Sequence, residues 1–260
     1  MSCRDEGCPD RDRPKAATST GQSTDVTSSS DGSVIAWDVT DHAQPVRVSS
    51  LQGQVHGAPA LAYSPDGRVL ASAGPGPDAV LWDASTPRSP RRLGTLTAPS
   101  GISRLAYRPD GRVIATGSDD GTAMLWDVAA PASPKLLTSA NFGSQISSLA
   151  FTRDGSTLAV GVDSGAVALV NVADPAEPHL SSTFTGLSYA VSMTAFTPDG
   201  RSLAVGSTGT SLQVWDVADR EHPRRLFSTV LSNSVYSGEF SPDGHTLAVA
   251  ETAARQRCGT

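Results

Sequence analysis

The sequence predicts an all-β protein assembled from repeated four-stranded antiparallel units, and three markers that share one period predict it. Asp-Gly pairs fall at Asp66-Gly67, Asp110-Gly111, Asp154-Gly155, Asp199-Gly200 and Asp243-Gly244, in steps of 44, 44, 45 and 44 residues. Trp-Asp pairs recur in register at Trp37-Asp38, Trp82-Asp83, Trp126-Asp127 and Trp215-Asp216, with Val170-Asn171 in the place of the missing one. A proline stands eight residues after each of these five positions, at Pro45, Pro90, Pro134, Pro178 and Pro223. A fixed period between about 20 and 50 residues is the mark of a repeat architecture and overrides local readings.

Each unit divides into four short strands. In the third unit, ISRLAYRPDGRVIATG holds two runs of β-formers joined by Arg-Pro-Asp-Gly. Proline sets φ near −65° early in the turn, and glycine accepts the left-handed position that closes the hairpin. TAMLWDV is the third strand, entered through Ser118-Asp119-Asp120-Gly121. Pro131 and Pro134 interrupt the chain before KLLTSA, the fourth strand, because proline cannot continue a ladder. Four short strands and a Trp-Asp pair in about 44 residues predict a β-propeller blade. Four complete blades are expected near 59–97, 102–140, 146–185 and 191–230, with partial terminal blades at 26–52 and 235–250.

Within each unit an aromatic precedes the Asp-Gly aspartate by three residues: Tyr63, Tyr107, Phe151, Phe196 and Phe240. These are expected in the inter-blade core, since aromatics dominate buried area. Alanine stands before them at Ala62, Ala106, Ala150 and Ala195, where a small residue suits the crowded innermost strand. Glu239 breaks that column. An unpaired buried carboxylate is costly, so either that strand is partly exposed or Glu239 is a paired acid in the central channel.

Together the Ser-Pro-Asp-Gly and Leu-Trp-Asp-Val phrases resemble the WD-repeat (Trp-Asp repeat) family of β-propellers over roughly residues 26–250. Pro-x-x-Pro between third and fourth strands is similar to a bacterial, actinobacterial-like variety. Arginine supplies 18 of the 20 basic residues, only Lys15 and Lys135 being lysine, and with abundant Ala, Gly and Pro this points to a GC-rich genome. The resemblance implies that the sequence repeat is offset from the blade, one unit ending with the next blade's inner strands. It also implies a non-catalytic protein-interaction scaffold, or the sensor part of a larger bacterial signalling protein. A protein or peptide partner would bind over the face formed by fourth-to-first and second-to-third strand loops. The family's buried Asp, His, Ser/Thr and Trp tetrad is incomplete here. Gly-His occurs only reversed, as His56-Gly57, and an aspartate six residues before the tryptophan position only at Asp31 and Asp120, with Gly76, Ser164 and Gly209 elsewhere. Packing is therefore expected to carry most of the stability.

Residues 1–25 and 251–260 share nothing with the repeat. The first segment is rich in Arg, Asp, Ser and Thr and is expected to be disordered. A seven-bladed ring at this period needs about 308 residues. The expectation is an incomplete arc, as a truncated or decayed gene would leave, prone to self-association through its open ends. The alternative is a closed ring of five blades, in which the leading third and fourth strands join the trailing first and second in one composite blade.

Little in the sequence suggests chemistry. A net charge of −6 argues against a nucleic-acid partner, which needs clustered Lys and Arg. Cys3, Cys8 and Cys258 form neither a disulfide framework nor a zinc-ligand spacing. No apolar stretch approaches the roughly 18 residues of a membrane span, and the N-terminal residues lack a signal's apolar region, so a cytoplasmic protein without a membrane partner is expected. GSDDG at 117–121 and GVDSG at 161–165 are inter-strand turns that do not fit a nucleophile elbow. His42, His56, His179, His222 and His245 are scattered over different turns. No cofactor is expected. An enzyme with a central-channel site would need polar, unlike residues on the innermost strands, where alanine recurs instead. The loops that differ most are NFGSQ at 141–145, TGLSY at 185–189 and SNSVY at 232–236. They offer Phe142, Leu187 and Tyr189 as candidate partner-binding residues; each either anchors a partner or folds back over the rim of the core.

Overall fold

A computed structural model of the chain describes residues 14–19, 24–29, 33–41, 43–51 and 60–252. The three cysteines, Asp31, His42 and the His56-Gly57 pair lie outside them. The described residues form strands and turns with no helix. The first sheet runs β1 (Pro14–Ser19), β2 (Thr24–Ser29), β3 (Val34–Asp38) and β4 (Val46–Leu51). The second runs β5 (Ala60–Tyr63), β6 (Val69–Ala73), β7 (Asp78–Asp83) and β8 (Arg91–Thr97); the third β9 (Ile102–Tyr107), β10 (Val113–Ser118), β11 (Thr122–Asp127) and β12 (Lys135–Asn141). The fourth comprises β13 (Ile146–Phe151), β14 (Thr157–Val162), β15 (Ala166–Asn171) and β16 (His179–Thr185), and the fifth β17 (Val191–Phe196), β18 (Ser202–Ser207), β19 (Ser211–Asp216) and β20 (Arg224–Val230). A two-stranded sheet of β21 (Val235–Phe240) and β22 (Leu247–Glu251) follows. All pairings are antiparallel, and the first strand of each sheet packs beside the first strand of the next. These are the blades of a β-propeller.

One expectation about the ends is revised. Strand pairing reaches into residues 1–25: β1 pairs with β2 from Pro14↔Ser29 to Ser19↔Asp25, so the leading unit is a full four-stranded sheet. Backbone pairing does not need apolar side chains. The composite blade does not form. β21 and β22 pair with each other, while β3 and β4 belong to the sheet of β1 and β2. The indole of Trp37 on β3 donates to Thr27 Oγ1 on β2 at 2.9 Å. The matching position on β22 is Val249, which has no acceptor to offer.

That indole bond explains much of the repeat. Trp82 Nε1 donates to Ser72 Oγ and Trp126 Nε1 to Thr116 Oγ1, each ten residues upstream. In the fourth sheet both members change together: Val170 replaces the tryptophan and Val160 the hydroxyl. The fifth keeps Trp215 opposite a region where Val205 has replaced the hydroxyl, and here Nε1 donates instead to Gln213 Oε1 at 3.0 Å. A buried donor is costly without a partner, and the sequence changes donor and acceptor together or supplies a substitute.

The blades are joined by a second device. A Cβ built on Gly117 would lie 2.4 Å from Ile146 Cγ2, on Gly161 2.5 Å from Val191 Cγ1, and on Gly206 2.4 Å from Val235 Cγ1. In each case the glycine on the second strand of one blade receives the first residue of the next blade's inner strand. Ile146, Val191 and Val235 are accordingly buried. The aromatic column behaves as expected: Tyr63, Tyr107, Phe151, Phe196 and Phe240 are half-buried and pack against successive core clusters. Burial pushes the Tyr63 hydroxyl up to about 12 and the Tyr107 hydroxyl higher still. Glu239 is exposed on β21, so no carboxylate is buried there.

The Asp-Gly turns are built from the side chains the repeat supplies. Gly67, Gly111, Gly155, Gly200 and Gly244 hold φ between 69° and 71° or, for Gly244, 74°. The Oδ1 atoms of Asp66, Asp154, Asp199 and Asp243 each accept from a backbone N–H two residues on and from the hydroxyl of Ser64, Thr152, Thr197 or Ser241. The side-chain hydroxyl, then the backbone N–H, holds each carboxyl below its ordinary value of 3.8. Because the folded pKa lies below the unfolded one, this contribution is fully present above about pH 4 and is lost as pH falls through the folded values. The urea midpoint should therefore fall below about pH 4. Replacing Thr152, Thr197 and Ser241 by Val, Val and Ala should flatten that fall; an unchanged acid limb would show that the turns do not cause it.

Candidate functional site

The loops joining second to third strands and fourth to first strands interlock into one rim. Phe142 N–H donates to Gly121 O, and Gln145 Nε2 to Asp119 Oδ1 at 2.8 Å. Asp163 N–H donates to Gln145 O, and Thr208 N–H to Ala190 O. Ser234 Oγ donates to Thr208 O, carrying the rim on to β21. Each loop is thus fixed by its neighbours, which makes the rim a pre-formed surface.

The three candidate residues separate on this rim. Leu187 is only 8% exposed and packs with Val167, Val205 and Trp215, so it caps the core and offers no surface to a partner. Phe142 is half-buried against the core of the third and fourth blades. Tyr189 is 61% exposed. Of the two readings of Leu187, an anchor or a residue folded back over the rim of the core, its burial with Trp215 leaves the second.

Tyr189 sits on a departure from the repeat. A Cβ on Gly209 would lie 1.9 Å from Tyr189 Cδ2, so the ring rests directly on the Gly209 backbone. Other blades place Asp120 or Ser164 at that position and a left-handed glycine next, Gly121 (φ 86°) or Gly165 (φ 84°). Here the order is Gly209-Thr210, and Thr210 takes the left-handed conformation at φ 73°, alone among the described non-glycine residues. A β-branched residue there costs about 1–2 kcal/mol.

The inner strands add a residue that sequence reasoning missed. Their third positions read Ala16, Ala60, Arg104, Ser148, Met193 and Ser237, with a single charge. Arg104 Nε donates to Ser147 O on the next blade, and Nη1 to Ser103 O at 2.7 Å. No carboxylate lies within ion-pair distance of it among the described residues. Burial lowers its pKa from the usual guanidinium value, partly offset by the negative charges of Asp163 and Asp119. On the next inner strands, Ser148 and Thr194 share a 2.7 Å bond between their hydroxyls, and Ser192 Oγ is buried without a partner among the described residues. Residues 103, 147, 192 and 236 are the bulged second positions of their strands, where pairing skips a residue. Bulges re-aim side chains. Aligning the inner strands column by column would have exposed the lone arginine.

The opposite, Asp-Gly face carries a cleft of about 260 Å³ lined by Thr152, Arg153, Asp154, Asp199 and Arg220. Arg220 bonds Thr157 Oγ1 and Val217 O and lies 5.7 Å over the Phe196 ring. Its guanidinium is tied into the joint between two blades, in the role that Arg108 plays one joint earlier by reaching Gly155 and Val172 O. His179, His222 and His245 are exposed, and among the described residues no three His, Cys, Asp or Glu side chains form a group that could hold a metal ion.

Two stretches of the chain, residues 90–127 and 179–216, match the family model described as WD domain, G-beta repeat. Each begins on a fourth strand, β8 or β16, and ends with the third strand of the next blade, the offset that the sequence implied. No curated protein matches the chain.

Proposed function

We propose that this chain, a WD-repeat protein, is a non-catalytic interaction scaffold that docks a protein or peptide partner on the rim of second-to-third and fourth-to-first strand loops. WD repeats in general mediate protein–protein interaction, which supports the class but names no partner. The observation that carries the choice of face is Tyr189 held on Gly209, with Thr210 strained beside it. A left-handed glycine in the usual place would relieve that strain. Keeping the strain while presenting an exposed aromatic is how functional positions differ from merely structural ones. Tyr236, 56% exposed on the adjoining inner strand, extends the same surface. A role as the interaction part of a larger cytoplasmic bacterial signalling protein is compatible with this reading.

The test is site-specific photo-crosslinking in the source cells, with a benzophenone side chain at Tyr189, at Tyr236 or, on the opposite face, at Arg201. A discrete adduct from the first two positions and none from Arg201 is the expected result. Tyr189→Ala should weaken the captured interaction about tenfold or more, as loss of an aromatic anchor does. Thr210→Gly should stabilise the fold by about 1 kcal/mol while changing partner binding. Adducts from Arg201 alone would move the docking face to the other side.

A further inference from the structure

We infer that Arg104 is an anion anchor, and that the partner segment docking on this rim presents a side-chain carboxylate to it; the inference rests on the reading of the rim as the docking face. A guanidinium has five N–H donors in a fixed fork. Nε and Nη1 are committed to the carbonyls of Ser147 and Ser103, which fixes the plane of the group across two blades. The two donors of Nη2 have no acceptor among the described residues.

The side chain is only partly exposed, and its charge has neither a counter-ion nor full hydrogen bonding among the described residues. Nothing in the packing requires it, because the same column holds alanine, serine and methionine in the other blades. The inner strands of the next two blades carry hydroxyls at the same level of the sheet. Ser148 and Thr194 bond each other and retain lone pairs and rotational freedom, and Ser192 Oγ has a proton to donate and no partner among the described residues. The open end of a guanidinium fork suits a planar oxyanion. The rim carboxylates Asp119 and Asp163 do not neutralise the site, since Asp119 Oδ1 is held by Gln145 and neither pairs with Arg104. They do bias its choice. A dianionic phosphate meets their repulsion twice over, whereas a singly charged carboxylate carried in on a docked segment meets it once.

The experiment is a titration of the protein followed through the Arg104 Nε–Hε cross-peak in ¹H–¹⁵N spectra, assigned by its absence in Arg104→Lys. The probes are the blocked tripeptides acetyl-Gly-Glu-Gly-amide and acetyl-Gly-Gln-Gly-amide, with inorganic phosphate as a third arm. The expected result is a saturable shift with the Glu peptide, a dissociation constant at least tenfold higher for the Gln peptide, and weaker binding in high salt. No shift, equal shifts from Glu and Gln, or tighter binding of phosphate than of the Glu peptide would each overturn the carboxylate assignment. Crosslinking from Tyr189 in an Arg104→Gln background separates this from the docking reading. Undiminished capture there would sink the anchor and leave the docking face standing. Loss of all capture from the wild-type rim would sink the docking face, while the peptide titration still decides what Arg104 binds.

Discussion

Replacing Gly161 with valine is expected to destabilise the protein by about 3 kcal/mol or more, the upper end of what forced overpacking costs. The new Cβ would stand 2.5 Å from Val191 Cγ1, 3.0 Å from Val191 Cβ and 3.2 Å from Ser148 Cβ. None of these atoms is the end of a flexible chain. Val191 is fully buried, and Ser148 is held by Thr194 from the next blade, so relief requires the fourth and fifth blades to part. Urea unfolding with two probes, a blade-five tryptophan and far-ultraviolet dichroism, would read the loss. The two transitions should separate, because a joint broken in the middle of an array uncouples its halves. Val191→Ala should recover part of the loss by clearing Cγ1. A Gly161→Val protein as stable as the wild type would mean that the blades do not meet at this glycine.

The same joint shows where sequence reading stops. The Asp-Gly turns and the Trp-Asp strands were legible because their cause is local: a left-handed glycine, an aspartate bonding its own backbone, and a hydrophobic third strand all leave a trace within a few residues. Gly117, Gly161 and Gly206 obey a constraint set about 30 residues further along, by Ile146, Val191 and Val235. In the sequence they are merely glycines near the end of a strand. β1 escaped notice for the complementary reason. Its pairing is carried by backbone bonds, and its side chains lack the apolar pattern from which strands are recognised.

At the candidate site the difficulty lay elsewhere. The loop at 185–189 contains one apolar residue that caps the core and one that faces out, and only the position of Trp215 beneath it decides which is which. Arg104 was hidden by attention to the alanine column two positions on. That column reads alanine in four of five blades, whereas the third position varies between blades and is therefore where individual chemistry can be placed. The strain at Thr210 is visible in the sequence only as an exchange of Gly and Thr between adjacent sites, and its meaning depends on the Tyr189 ring above.

Restoring tryptophan at the position where the repeat lost it should harm the protein. Val170 is buried among Val113, Leu158 and Val160. An indole there must displace this packing, at about 1–3 kcal/mol. Its N–H would also face Val160 where other blades offer Thr27, Ser72 or Thr116, adding about 1–3 kcal/mol for a buried donor without an acceptor. Val170→Trp alone is therefore expected to cost about 2–6 kcal/mol, although it makes the repeat more regular. Val160→Thr alone should also destabilise, because it buries a hydroxyl opposite an aliphatic side chain. Combined, the two should cost less than their sum by about 1 kcal/mol or more, the coupling expected of residues in direct contact. The fifth blade supplies an independent control, since Trp215 is satisfied by Gln213 two residues before it. Ala168→Gln should thus rescue Val170→Trp by a different atom, through the geometry already present at 213 and 215. Denaturant midpoints of the three single and two double variants would decide. Rescue by both Val160→Thr and Ala168→Gln would show that the repeat conserves a satisfied indole rather than a particular acceptor. Strict additivity in both cycles would show that the paired valines are there for packing volume alone.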